Sequence, residues 1–336
     1  MCSAGLPAGC RVGLLAHAPL DLRRAPALRQ SPSSKGNTQG WAMFHRPPRP
    51  LFKLDPTVFT NEADMSLDAI EARLIGSDAE SVKEQIKIVK SVSMHSVAIF
   101  ALSVTGREET LNLAGSGTLV CYQDAHYILT ALHVWEEGFR RGSKLGISLR
   151  TGVYHRFIMD CDTIIPFGLP KPSMWGEAGP DIVLLRIPDV HIGTIKADQV
   201  FYNLSITEPA PPNVEHIEAS FLIGAPACFG TFLHLQKLAT VGLKAFHVGI
   251  RQKSGFIEAL MNVEGFPSSQ SVEGMSGGGL WKVLLYEPSP HGPIESIAIL
   301  RGVAFWQFPP ENNTRVVRCH DIQTIRSLAE GRSARK

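Results

Sequence analysis

Three residues of this chain have the side-chain types and the spacing for acyl-transfer chemistry. His133 follows the apolar run Tyr127-Ile128-Leu129-Thr130-Ala131-Leu132, so its ring emerges where a strand ends rather than on a solvated face. Asp181 opens a second apolar run, Ile182-Val183-Leu184-Leu185, which predicts a partly buried carboxylate in need of a donor. Ser276 stands in Glu273-Gly274-Met275-Ser276-Gly277-Gly278-Gly279-Leu280. Glycines there permit positive φ and a close approach of backbone to ligand, and they leave amide N–H groups unobstructed for a developing oxyanion. A serine, a histidine and an aspartate in these settings suit a nucleophile, a general base and the acid that orients the base. Each feature alone is ordinary: strand-end histidines are mostly structural, strand-start aspartates mostly cap, and glycine-rich turns are mostly turns. The order His, Asp, Ser with gaps of 48 and 95 residues is what chance explains poorly.

The elements that must position these groups follow from hydrophobic patterning. From about residue 95, short β-like runs succeed one another: 97–104, 117–122, 127–130, 144–149, 153–159, 182–187, 221–224, 243–250, 256–261, 280–285, 297–306 and 315–318. A dozen such runs without regularly alternating helices predict antiparallel all-β barrels or sandwiches. Residues 321–330 read as a closing helix. Ahead of the strands, 66–91 read as helical in two segments. Ser66 caps the first and Gly76 stops it; Asp78 caps the second, in which Val82, Ile86 and Val89 share a face. Packing on the following domain is the expected role of this 61–94 extension, with a regulatory partner as the other possibility. Residues 1–60 hold eight Lys/Arg against two acids and eight of the 23 prolines, a composition that predicts a disordered basic leader. Met43 or Met65 is an alternative start.

Composition bounds the function further. The chain carries 33 Lys+Arg against 31 Asp+Glu, a net charge of +2, so no nucleic-acid surface is expected. No apolar run approaches the ~18–20 residues that span a bilayer, and no convincing export signal is present, so a cytoplasmic protein without membrane contact is expected. Cys2, Cys10, Cys121, Cys161, Cys228 and Cys319 include no C-x-x-C pair. Free thiols are therefore expected, with neither metal nor organic cofactor.

The chain resembles the chymotrypsin-like (trypsin-like) serine peptidases. Leu129-Thr130-Ala131-Leu132-His133-Val134 is similar to the family's Thr-Ala-Ala-His segment, Pro180-Asp181-Ile182-Val183-Leu184-Leu185 to its Asp-Ile-Ala-Leu-Leu segment, and Gly274-Met275-Ser276-Gly277-Gly278-Gly279-Leu280 to its Gly-Asp-Ser-Gly-Gly-Pro-Leu segment. "GSGTLV" at 115–120, "FLIGAP" at 221–226 and "LRGVAFW" at 300–306 add to the likeness, which covers about 95–330. It implies two six-stranded antiparallel β-barrels, about 95–205 and 206–320, with the helix 321–330 closing a peptidase domain of 95–335. It also implies serine endopeptidase activity on a protein or peptide substrate. His133 then matches the general base, Asp181 its orienting carboxylate, Ser276 the nucleophile, and the N–H groups of Gly274 and Ser276 the oxyanion hole.

The departures carry expectations too. Met275 replaces the acid that pairs with a new N-terminus in secreted members, so no such activation cleavage is expected, as in bacterial or intracellular members. Gly279 replaces a proline, which implies a looser turn. Gln270 falls at the base of the primary specificity pocket and is not acidic, so a strict Arg/Lys preference is not implied; Phe305, Trp306 and Gln307 fall along its wall. Two other readings stand beside this one. A catalytically silent double barrel, or a partner-triggered effector protease, would share the same framework. Gly274-Met275-Ser276-Gly277-Gly278 also fits the G-x-S-x-G of α/β-hydrolases, but that fold needs a helix after the serine and leaves only Asp321 with His291 or His320 as partners.

Overall fold

The computed structural model describes residues 79–105, 108–140, 144–148, 156–168, 180–206, 216–233, 238–241, 243–263, 272–289 and 292–333. The leader 1–60, the first helical segment at 66–76 and Gln270 lie outside the described residues.

Apolar runs that alternate between two buried environments become strands with cores on both sides. In β7 (Val183–Arg186), Val183 and Leu185 face one hydrophobic cluster, while Leu184 and the preceding Ile182 face another. That is why the segment reads as continuously apolar rather than alternating. Around it, β1 (Ser96–Thr105), β2 (Glu108–Tyr122), β3 (Ala125–Thr130), β4 (Lys144–Ser148), β5 (Arg156–Asp160) and β6 (Ile165–Gly168) pair antiparallel in the order β5-β4-β1-β2-β3-β7-β6. The short β8 (Tyr202–Asn203) joins β2 in parallel. Ile99, Leu119, Ile128, Leu145 and Leu185 fill the inner face.

The second half starts with β9 (His216–Gly224). A separate hairpin, β10 (Gly230–Leu233) and β11 (Leu238–Val241), follows it. Then β12 (Lys244–Lys253), β13 (Phe256–Asn262), β14 (Gly279–Tyr286), β15 (Glu295–Gln307) and β16 (Thr314–Asp321) complete a closed antiparallel barrel in the order β12-β13-β16-β15-β14-β9. Closure removes the sheet edges. Leu222, Ala259, Met261, Leu280 and Val317 fill its interior.

The protein is thus mostly β, with one closed six-stranded barrel and one curled sheet. The first half differs from the six strands expected: it has eight, and among the described residues it does not close. The extra strands β6, β8, β10 and β11 are only two to four residues long, too short to leave a periodic signal. The run expected from 117 extends back to Glu108, and that from 221 back to His216.

Four α-helices stand among the described residues: α1 (Ala79–Ser93), α2 (Leu132–Arg140), α3 (Asp189–Lys196) and α4 (Ile322–Ser333). The face of α1 differs from the one expected. Ile88 and Val92, one turn apart, are buried, whereas Ile86 is exposed. The helix docks this face on the cluster between the two halves, with Lys87 Nζ donating to the Ile294 carbonyl at 3.1 Å. α2 and α3 were not foreseen, because each is short and follows directly on a strand.

That central cluster sets how the halves sit together. It joins Val120, Leu129 and Leu184 of the first sheet to Ile223, Trp281 and Leu300 of the barrel and to Ile325 and Leu328 of α4. Trp281, fully buried, stacks on His95 (5.1 Å between centroids, 25°) and meets Tyr202 edge-on (5.4 Å). Truncating a buried tryptophan of this kind costs about 3–5 kcal/mol. We expect Trp281→Ala to lower the melting temperature by roughly 10 °C; a scanning-calorimetry shift under about 2 °C would rule out this anchoring role.

Candidate functional site

The antiparallel pairing of β3 with β7 sets Thr130 opposite Val183. His133 lies three residues beyond one strand end and Asp181 two residues before the other, so the 48-residue gap closes at one edge of the sheet. His133 is the second residue of α2. Its backbone N–H, one of the unpaired donors at a helix start, donates to Asp181 Oδ1 at 3.0 Å. Its ring Nδ1–H donates to Asp181 Oδ2 at 2.6 Å. The carboxylate therefore holds both backbone and ring, and with the proton on Nδ1 the basic nitrogen is Nε2. The Asp181 side chain is 6% exposed and that of His133 25%, so the anion is enclosed while the imidazole edge meets solvent.

Asp181 is held in turn by the barrel. Its backbone N–H donates to His320 Nε2 at 3.1 Å. The His320 ring, on β16, stacks on Phe305 (4.2 Å, 27°) and meets Phe256 edge-on at 5.6 Å. Burial pulls its pKa down to about 4, although the nearby Asp181 and Asp321 charges favour the proton. A neutral ring is what this contact requires, since an imidazolium has no lone pair with which to accept.

Ser276 lies on a turn between Val272 and β14, pinned at almost every residue. Ser276 O accepts the Ser116 N–H (2.8 Å), and Gly277 N–H donates to Ala304 O (2.7 Å). Gly278 N–H donates to Met275 O (2.8 Å), and Ala304 N–H to Gly278 O (2.9 Å). Side chains of the first sheet join in: Ser116 Oγ donates to Gly274 O, and Thr118 Oγ1 to Gly277 O at 3.2 Å. Gly274 (φ +90°) and Gly277 (φ +89°) occupy the left-handed region that favours glycine. A Cβ on Gly277 would run into Ser116 O and Thr130 Oγ1, and one on Gly274 into Ala225 O.

The turn abuts the His133 helix through Gly115. A Cβ there would lie 2.7 Å from Val134 Cγ2 and 3.0 Å from Ser276 O. Val134, the residue after His133, and the Ser276 carbonyl thus share the space that a side chain at Gly115 would fill. Met275 N–H is engaged by Val272 O at 3.0 Å. Among the described residues, neither flanking N–H, of Gly274 or of Ser276, donates to a backbone carbonyl. Two amides two residues apart beside a serine are the kind of donor pair that can receive a carbonyl oxygen as it gains charge.

Other sequence expectations fall into place or change. The serine is followed by β14, a strand, which removes the strand–turn–helix context of the α/β-hydrolase reading. Met275 is buried among Leu222, Val272 and Leu280, where a carboxylate would be uncompensated. Gly279 does not loosen the turn: it opens β14, paired to Val303 and Ile223, and a Cβ there would run into Trp281 Nε1. Of the expected pocket wall, Phe305 turns its ring onto His320, Trp306 lies at the surface (37% exposed), and Gln307 Oε1 accepts the Val272 N–H at 3.0 Å. His320, Ser116, Thr118 and Thr130 were missed as site residues. The polar alternation of Ser116 and Thr118 in an apolar strand was the readable signal for two of them. Among the described residues no cluster of His, Cys, Asp or Glu is suited to a metal. The four described cysteines are free, and burial raises each thiol, that of Cys161 to about 12, so none is activated as a nucleophile.

The chain matches no protein-family model and no curated protein sequence.

Because the fold holds the His320 pKa below its ordinary 6.5, the unfolded chain takes up this proton first as the pH falls. The stabilisation is full above 6.5, declines between 6.5 and about 4, and levels off below. We expect the melting temperature of wild type to drop more steeply through that window than that of His320→Gln, which keeps an acceptor without a titrating ring. Parallel curves would overturn this account of the contact.

Proposed function

We propose that this chain is a serine endopeptidase with a chymotrypsin-like double-barrel framework, acting on protein or peptide substrates through an acyl-enzyme intermediate. The observation that carries the reading is the coupling of His133 to Asp181 at one sheet edge (2.6 Å), next to a rigid turn that offers Ser276 with the N–H groups of Gly274 and Ser276. In this reading Ser276 Oγ attacks the scissile carbonyl while His133 Nε2 takes its proton. Asp181 keeps the imidazole proton on Nδ1 and balances the imidazolium that forms. The oxyanion is received by the two backbone N–H groups, His133 returns the proton to the leaving amine, and water releases the acyl group by the reverse sequence. The buried Met275 is in keeping with a turn that needs no ion pair from an activation cleavage, and the free thiols with a reducing, cytoplasmic setting.

A fluorophosphonate probe tests this directly. Wild type should be labelled, Ser276→Ala should not, and His133→Ala should label far more slowly. On a cleavable peptide, Ser276→Ala should lower kcat by up to ~10⁶-fold with the fold intact by circular dichroism. Labelling that persists in Ser276→Ala would remove the nucleophile assignment, and a folded wild type that never labels would favour a silent binding module.

A further inference from the structure

Arg315 and Arg318 are both 6% exposed on β16, and they are engaged differently. Arg318 Nη2 donates to the Glu258 carboxylate at 2.9 Å, under the rings of Phe256 and Phe308. Arg315 sits nearer the serine turn. Strand alternation places it on the same face as Val317 and Cys319, whose side chains line the barrel interior with Val272 and Met275. Its Nη1 donates to Gln307 Oε1 at 3.0 Å and to Phe308 O at 3.3 Å. The same Gln307 oxygen accepts the Val272 N–H, and Val272 O accepts the Met275 N–H. The guanidinium is therefore one shared oxygen away from the backbone of the turn that bears Ser276. It also acts on Cys228, favouring the thiolate against burial, as does Lys244. Beside that cysteine, Ala227 N–H donates to Glu273 O at 2.7 Å. Gln307 on one side of Arg315 and Ala227, next to Cys228, on the other thus each hydrogen-bond to the start of the turn.

A substrate whose carbonyl oxygen meets the Gly274 and Ser276 N–H groups must lay the side chain of that same residue close by. Val272 and Gly274 are two residues apart, at most ~7 Å along the chain. That is within reach of a short acidic side chain. A guanidinium stays charged when buried, its fork matches a carboxylate in two-point contact, and it opposes a second cation.

We propose that Arg315, through its placement beside the serine turn, makes the enzyme selective for an acidic side chain at the residue whose carbonyl Ser276 attacks, so that it cuts after aspartate or glutamate. This rests on the peptidase reading above.

The test uses full-length protein and peptides that differ only at the residue before the cut: Glu, Asp, Gln, Leu or Lys. Relative kcat/KM within one preparation is the readout, so the active fraction cancels. Wild type should prefer Glu or Asp over Gln on the order of 100-fold. Arg315→Gln should bring that ratio close to one, and Arg315→Lys, which keeps a cation but loses the two-point fork, should give a ratio between the two. Should Arg315→Gln fail to fold, the wild-type profile and Arg315→Lys decide. Equal or faster cutting after Leu or Lys by wild type, or an unchanged acidic preference in Arg315→Gln, overturns the inference. Fluorophosphonate labelling of the same wild-type sample separates the two failures. Labelling without acidic preference removes Arg315 alone, whereas a folded protein that neither labels nor cuts any peptide removes the peptidase reading and this inference with it.

Discussion

One hydroxyl ties the two halves of the protein together at the place where chemistry is proposed. Ser116, fully buried on β2, donates to Gly274 O and accepts the Ala225 N–H at 2.8 Å, so a residue of the first sheet completes the hydrogen bonding of two separate segments of the second half. The net value of such a bond is only about 1 kcal/mol, but a buried group left without its partner costs about 1–3 kcal/mol. Removing Ser116 would strand both partners at once. The glycines around it serve the same junction: a Cβ on Gly224 would crowd both Ser116 Oγ and Met275 Sδ, and one on Gly277 would collide with Ser116 O. The turn bearing Ser276 is held because backbone and hydroxyls of the first sheet fill the space around it.

Charge is managed by the same contact between sheet and barrel. The Asp181 carboxylate is enclosed by the first sheet and satisfied by two donors from His133, while its backbone is fixed from the barrel by a histidine that burial keeps neutral. His320 stacks on Phe305, and Phe305 follows Ala304, whose N–H and C=O hold Gly278 and Gly277. A short covalent and hydrogen-bonded path therefore joins the acid, the barrel wall and the serine turn. In a region of low dielectric, small displacements along it would change electrostatic interactions far more than they would in water.

How much of this was legible beforehand depended on range. The strands at 97–104, 127–130, 182–187, 256–261 and 280–285 were readable because burial imposes a local apolar pattern, and they fall within one or two residues of those found. The helix α2 was hidden by the apolar run that leads into it. The face of α1 was misread because Val82, Ile86 and Val89 satisfy a helical period as well as Ile88 and Val92 do, and only the cluster between the halves chooses between them. Two-residue β8 carries no periodic signal at all, and it exists because Val120 and Cys121 offer it an edge.

The amino-acid order by itself determined the mostly β character, the side-chain types of His133, Asp181 and Ser276 and the glycines that leave room around Ser276, because each is a property of a residue and its immediate neighbours. Only the tertiary structure decided that β3 pairs with β7 and brings His133 to Asp181, that His320 rather than a residue of the first sheet holds the Asp181 backbone, and that Arg315 reaches the serine turn through Gln307. Those contacts link residues up to 139 positions apart. Their partners are selected by which buried donors and acceptors finally meet when both cores close, and no local pattern along the chain encodes that choice.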